Sequence, residues 1–288
     1  MTSLGGVSTT TLGEFLRARR AQLRPADVGL PAGARRRVAG LRREEVAVLA
    51  GISPEYYLRL EQGRDLNPSS QVLQALAEAL HLDGDATSYL STVARPGLGL
   101  AARRGSRGRP ERVSAHVQDL IDSWPTTAAY VLGRGSTVLA ANAPARALSP
   151  HFAAGATPLR ALFLDSHLRD LYRDWDAVTV KAVAHLRSTT AGTRDDPRVV
   201  TLIGELSLHS DRFRELWARA DVKVRDDGPT RLTHPQVGPL DLQYTKLTLV
   251  EHEQLLVTYH AERGGVSAGA WRVLCDLAQQ VTGDETQP

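Results

Sequence analysis

Arg59 stands four residues after Glu55, with Leu58 beside it, in the stretch SPEYYLRLEQG. A guanidinium can bond both major-groove acceptors of guanine. A carboxylate can accept from the cytosine amino group, and a leucine can touch a thymine methyl. At about 100° per residue, Tyr57 and Leu60 share one side of a helix. Pro54, Glu55, Leu58 and Arg59 then share the opposite side, and Tyr56 flanks it with a hydroxyl in reach of phosphate. The other reading is a surface ion pair between Glu55 and Arg59, worth roughly 0.2–0.5 kcal/mol.

Other chemistry-bearing patterns lead less far. Gly265-Val266-Ser267-Ala268-Gly269 matches a nucleophile elbow, G-x-S-x-G, but no His follows His260 to complete the order that fold requires. Gly133-Arg134-Gly135 lacks the third glycine and the βαβ setting of a dinucleotide site. Asp195-Asp196 reads as helix capping rather than a carboxylate pair. His185 and His260 do not show metal-ligand spacing. The single cysteine, Cys275, allows neither a disulfide within the chain nor a Cys-based zinc site. No catalytic residue, metal or cofactor is therefore assigned, and a reducing, cytoplasmic location is expected.

The elements that must hold Arg59 and Glu55 are short helices. Leu12, Phe15, Leu16 and Arg19 follow a possible Thr11 N-cap, with Glu14 three residues on, and Pro25 ends that helix near Leu23. Residues 24–40 form a Pro/Gly loop carrying Arg35, Arg36 and Arg37, either a solvated charge run or a DNA-contacting arm. A helix over Arg42–Ala50 stops at Gly51. Ser53 caps the next, with Pro54 at its first position, and Gly63 ends it. Further helices run over Ser69–Leu80 and Asp85–Ala94. The segment Arg43–Gln62 meets the demands of a helix-turn-helix. Ala47 is small where the helices cross, Gly51 suits a positive φ, and Val46, Ala50, Ile52, Tyr57 and Leu60 supply buried faces.

Charge divides the chain. Residues 1–110 hold 16 Arg, no Lys and 10 Asp+Glu; the remainder holds 19 Lys+Arg against 22 Asp+Glu. A basic module joined to an acidic one suits a polyanion partner, although two ordinary surfaces could give the same totals. Between Arg95 and Arg112 lie six Arg, four Gly and two Pro, the composition of a basic linker. The first dozen residues do not read as a signal peptide, and no run approaches the about 20 apolar residues of a membrane span.

The second half reads as α+β. Ala128–Leu132 and Thr137–Ala141 flank a Gly-Arg-Gly hairpin signal. Helices follow over Ser166–Tyr172, Trp175–Arg187, Asp196–Leu206 and Ser210–Ala220. Strands then run over Thr230–His234, Leu240–Val250 and Gln254–Ala261, the last two joined by a tight turn at Glu251–Glu253. A final helix covers Ala268–Gln280. Two strands, helices and an antiparallel meander describe a five-stranded antiparallel sheet with helices against it. Asn142 either caps the helix starting at Pro144 or reads a ligand group. Tyr130, Phe163, Trp175 and Tyr259 are either pocket lining or plain core.

Residues 10–94, and above all LRREEVAVLAGISPEYYLRLEQGRDLNPSSQVLQALAEALHL, closely resemble the Xre-type (phage-repressor-like) helix-turn-helix family. The resemblance implies that the second motif helix enters the major groove, with Pro54, Glu55, Leu58 and Arg59 at the family's base-reading positions. Arg43 and Ser53 then sit at helix starts where phosphate oxygens dock. The loop at 24–40 is absent from compact members. Residues 113–280 resemble the ligand-binding domain of MmyB-like regulators in WPTTAAYVL, VLAANAPARAL, DLYRDWDAV, GELSLHSDRFRELWARADV, THPQVGPLDL and LLVTYHAE. That family often has Trp before the Asn of the second strand, where Ala141 stands here. The resemblance implies a PAS-like fold with a cavity for a small apolar molecule such as a fatty acid.

The expectation is thus two domains. A five-helix all-α DNA-binding domain covers 10–94, a basic linker 95–112, and an α+β PAS-like domain 113–282. The expected function is a ligand-responsive transcriptional regulator that binds double-stranded DNA as a homodimer, without membrane association. The alternative is a regulator whose C-terminal domain is an interaction or dimerisation module without a ligand.

Overall fold

The computed structural model describes residues 11–31, 36, 38–65, 67–94, 111–190, 196–222, 228–250 and 254–284. In chain order the helices are α1 (Thr11–Gln22), α2 (Arg43–Leu49), α3 (Pro54–Glu61), α4 (Ser70–Ala79), α5 (Gly84–Ala94) and α6 (Ala115–Asp122). Strands β1 (Ala128–Leu132) and β2 (Val138–Ala141) come next. They are followed by α7 (Ala143–Leu148), α8 (Pro158–Leu164), α9 (Ser166–Leu171), α10 (Trp175–Thr190), α11 (Pro197–His209) and α12 (Asp211–Ala218). Strands β3 (Gly228–His234), β4 (Gly238–Leu249) and β5 (Gln254–Ala261), then helix α13 (Ala268–Asp284), complete the chain. The linker expected at 95–112 falls, up to residue 110, outside the described residues. So do Asp195 and the turn at Glu251–Glu253.

The chain divides into two compact units. The first comprises the described residues within 1–107, 183–193 and 215–224. Its helices start where side chains take up the amide N–H groups that a first turn leaves unpaired. Ser53 Oγ accepts from Tyr56 N at 3.1 Å, Ser69 Oγ from Val72 N at 3.3 Å, and Asp83 Oδ1 from Ala86 N at 2.8 Å. Glu45 reaches back to the backbone N–H of Arg42 at 2.6 Å, half of a capping box. Thr11, expected as a cap, is taken into α1 itself. Between α2 and α3, Gly51 has a φ of +63°, which a side chain would strain.

Phe15, Leu16, Leu41, Val46, Ala47, Tyr57, Leu60, Leu76 and Leu90 form the buried centre of this unit. Phe15 and Tyr89 lie with ring centroids 4.9 Å apart. Ala220 and Val222, far away in sequence, join the same core, and Asp221 pairs with Arg19 at 3.3 Å. Nothing in the local sequence around 220 signals this attachment.

The second compact unit is built on one antiparallel sheet with strand order β2-β1-β5-β4-β3. Tyr130 stands opposite Val257, and Tyr244 opposite Tyr259. Alternation sends Ala128, Tyr130, Leu242, Val257 and Tyr259 to a large core that also holds Leu148, Phe152, Trp271 and Leu274 from helical segments. Ala129, Val131, Ala140 and Leu256 point the other way and pack with Ile121 of α6. Two helices were not expected from the sequence, α6 and α8. Each is only two turns long, and their starts, Ser114 and Pro158, are single short signals.

Candidate nucleic-acid interface

Helix α3 is fixed at both ends. Ser53 caps its start, and Tyr57, Leu60 and Glu61 of its inner face are wholly buried. Pro54, Glu55 and Arg59 are exposed, while Tyr56 and Leu58 are half-buried. The face that periodicity turns outward is therefore outward. No ion pair joins Glu55 to Arg59 among the described residues; the Arg59 guanidinium lies over the Tyr56 ring instead, 5.3 Å from its centroid. Both charged heads thus remain open to an outside partner. Ser53 uses its oxygen as an acceptor in the cap and keeps its hydroxyl proton to donate.

The inner support of α3 is ionic as well as apolar. The buried carboxylate of Glu61 accepts from Nε of Arg20 at 2.6 Å and from Nε of Arg43 at 2.7 Å. Arg20 also donates to the carbonyl of Leu41 at 2.7 Å. One acid thereby ties α3 to α1 and to the first residue of α2. Burial pushes the Glu61 carboxyl up, but the hydrogen bonds and charges of the two arginines outweigh it and hold it below its ordinary value. Burial and the adjacent Glu61 charge push the Tyr57 phenol up.

Arg36 takes a different place from a groove-contacting arm. Its two terminal nitrogens grip Glu45 at 2.6 and 2.7 Å, and Nη2 also donates to the carbonyl of Gly40 at 3.0 Å. This bidentate pair holds the Glu45 carboxyl down to about 2, against the upward push of burial and with help from the Arg42 N–H. Arg36 fastens the loop to α2, a role the sequence did not anticipate. Arg35 and Arg37 lie outside the described residues.

Glu61, Arg20 and Glu45 were missed by sequence reasoning. A signal for Glu61 existed: it sits one residue past Leu60 on the stripe begun by Tyr57, and an acid on a buried stripe requires cationic partners. Arg36 had no such signal, because a loop residue has no periodicity to aim it.

In the second unit, the structure brings Tyr130 and Tyr259 together around Phe152, with centroids 4.8 Å (Tyr130–Phe152) and 5.9 Å (Phe152–Tyr259) apart. Tyr172 and Tyr259 share a hydroxyl–hydroxyl contact of 3.2 Å. Phe163 and Trp175 meet edge-on at 6.4 Å, and the Trp175 indole N–H donates to the Leu162 carbonyl at 2.8 Å. Asn142 is a structural hub. Its amide oxygen accepts from Ala129 N at 2.9 Å and Ala145 N at 3.1 Å. Its nitrogen donates to the carbonyls of Ile121 at 2.9 Å and Thr127 at 2.8 Å. All four of its hydrogen-bonding capacities are used internally, so the ligand reading of Asn142 gives way to capping and strand anchoring. The Ser267 hydroxyl of the G-x-S-x-G pattern is buried and accepts from Asp241 N at 2.7 Å.

A helix-turn-helix domain in one unit and an MmyB-like ligand-binding domain in the other make the chain a DNA-binding transcription regulator with a ligand-binding domain. A helix-turn-helix domain family matches residues 11–90. The family described as the MmyB-like transcription regulator ligand binding domain matches residues 113–274, more than half of the chain, and the chain belongs to that family. No curated protein matches it. Among the described residues, no helix is long and apolar enough to cross a membrane.

Proposed function

We propose that the chain regulates transcription by sequence-specific binding of double-stranded DNA through the outward face of α3. Arg59, Glu55 and Leu58 read base edges in the major groove, with Pro54 against the bases and Tyr56, Ser53 and Arg43 on phosphates. The observation that carries this reading is the orientation of α3: Glu55 and Arg59 are exposed, unpaired with each other, and held by a helix whose opposite face is fully buried. The functional domains are taken as 10–94 and 113–282, joined by 95–112, and the protein acts as a homodimer on paired half-sites about one turn apart. The C-terminal domain senses a small apolar ligand of fatty-acid type, with Tyr130, Tyr259, Phe163 and Trp175 the candidates for its wall.

Titrating the full chain onto labelled DNA from its own upstream region, beside a scrambled duplex, tests the first claim. Tight, discriminating binding with a steep salt dependence supports it. Equal weak binding to both duplexes, with and without a lipid extract, contradicts it.

A second reading has an observation of its own. Tyr130, Phe152 and Tyr259 stack on one another, as a filled core would. On that reading the C-terminal domain is a dimerisation or interaction module without a ligand. Native mass spectrometry of the purified protein separates the two: a retained lipid-sized mass favours the sensor, and its absence after exposure to lipid extract favours the module.

A further inference from the structure

Arg43 shows an unusual division of labour within one guanidinium. Its Nε is spent on Glu61, a carboxylate with no exposed surface. Its terminal nitrogens, Nη1 and Nη2, have no protein acceptor among the described residues, and the side chain is 49% exposed. An arginine side chain at such exposure ordinarily samples many rotamers, at an entropic cost to any partner that must order it. Here one end is anchored by a charge-assisted bond inside the protein, and the four N–H groups of the terminal nitrogens are left without an acceptor among the described residues. The anchor is itself rigid, since Glu61 Oε1 is taken by Arg20 and the residue belongs to the buried face of α3.

We infer that Glu61 is a positioning residue for DNA binding: by holding Nε of Arg43, it presents the Arg43 terminal nitrogens as a preorganised fork for a backbone phosphate. The inference rests on the proposed DNA-binding function and adds a residue that touches no DNA. It also sets what Arg43 reads. A phosphate contact carries no base identity, so Arg43 adds affinity and register without adding sequence preference. Lysine cannot replace it, because a single ammonium cannot donate to Glu61 and span two phosphate oxygens in the same geometry.

The test is a set of salt titrations of the full chain on the upstream duplex and on its scrambled control. Arg43→Ala is expected to weaken both duplexes by the same factor, roughly tenfold, and to lower the salt slope by about one. In a Glu61→Gln background, the further loss from Arg43→Ala is expected to shrink to less than threefold, the signature of coupling. An equal loss from Arg43→Ala in both backgrounds overturns the positioning role. Arg43→Lys provides the check if Glu61→Gln does not fold. It keeps the charge but not the anchored fork, and is expected to restore less than half of the lost binding energy; full restoration overturns the inference. If wild-type protein binds no duplex in a salt-dependent way, the proposed function itself fails. If wild type binds and Arg43→Ala leaves its salt slope unchanged, only this inference fails.

Discussion

Gly13 of α1 lies directly against the carbonyl of Glu61 at the end of α3. A Cβ on Gly13 would stand 2.8 Å from the Glu61 carbonyl carbon and closer still to its oxygen. The two helices therefore approach as closely as backbone allows, and this brings Arg20 of α1 within reach of the Glu61 carboxylate. Gly13→Ala must push α1 from α3 or bend one of them. A loss of about 1–3 kcal/mol in unfolding free energy is expected, as for overpacked cores. Denaturant melts of the two proteins check this; an unchanged midpoint contradicts the packing described.

Acid should loosen the helix-turn-helix. The Glu45 carboxyl ordinarily titrates near 4.5 and is held down to about 2 by Arg36. Its folded value is depressed, so its contribution is complete above about pH 4.5 and disappears as pH falls towards 2. Glu61 acts with the same sign. Thermal melts between pH 6 and 3 should show the wild type losing stability more steeply than Glu45→Gln, with parallel curves as the contrary result.

Asn142→Ala should be among the most damaging single changes in the sheet unit. It strands two amide donors, on Ala129 and Ala145, and takes a donor from the carbonyls of Ile121 and Thr127, the first of which keeps the Trp124 N–H. Several unpaired buried groups together cost about 3–5 kcal/mol. Asn142→Asp keeps the acceptor but loses the donor, so it should recover only part of that loss. A variant as stable as wild type by calorimetry would refute the hub.

Cys275 should resist thiol reagents in the native protein. Burial, then the neighbouring Asp276 charge, pushes the thiol up to about 12, so almost no thiolate is present near neutrality. Alkylation is expected to follow unfolding; rapid labelling of native protein would show that the α13 packing opens.

His81 ends the α4 turn with a φ of +48° and is exposed. A side chain in that conformation costs roughly 1 kcal/mol that glycine avoids. His81→Gly is expected to raise the melting temperature, and a fall would show that the imidazole makes an offsetting contact.

Much of this molecule could be read before its structure. The cap at Ser53, the turn at Gly51 and the stripe of Tyr57 and Leu60 are local signals, and α2 to α4 lie within a residue or two of where the sequence put them. The five strands followed from alternation and turn residues. What stayed hidden depends on partners distant in sequence. The Glu61 charge is intelligible only once Arg20, 41 residues away, and Arg43 are beside it. Arg36 looked like a free cation because nothing in a loop announces Glu45. Asn142 was legible as a cap for α7, but its grip on Ile121 and Thr127 was not. The attachment of Ala220 and Val222 to the helical core is likewise a tertiary fact with no local pattern.

The central claim is that the outward face of α3 reads DNA sequence, and Arg59 is its most exposed test. Selection from a randomised duplex library with wild-type protein and with Arg59→Ala would address it directly. Wild type is expected to enrich a defined site. Arg59→Ala is expected to lose about 1–3 kcal/mol on that site and to relax preference at one guanine position per half-site. Enrichment of the same site with the same strength by both proteins would contradict the account.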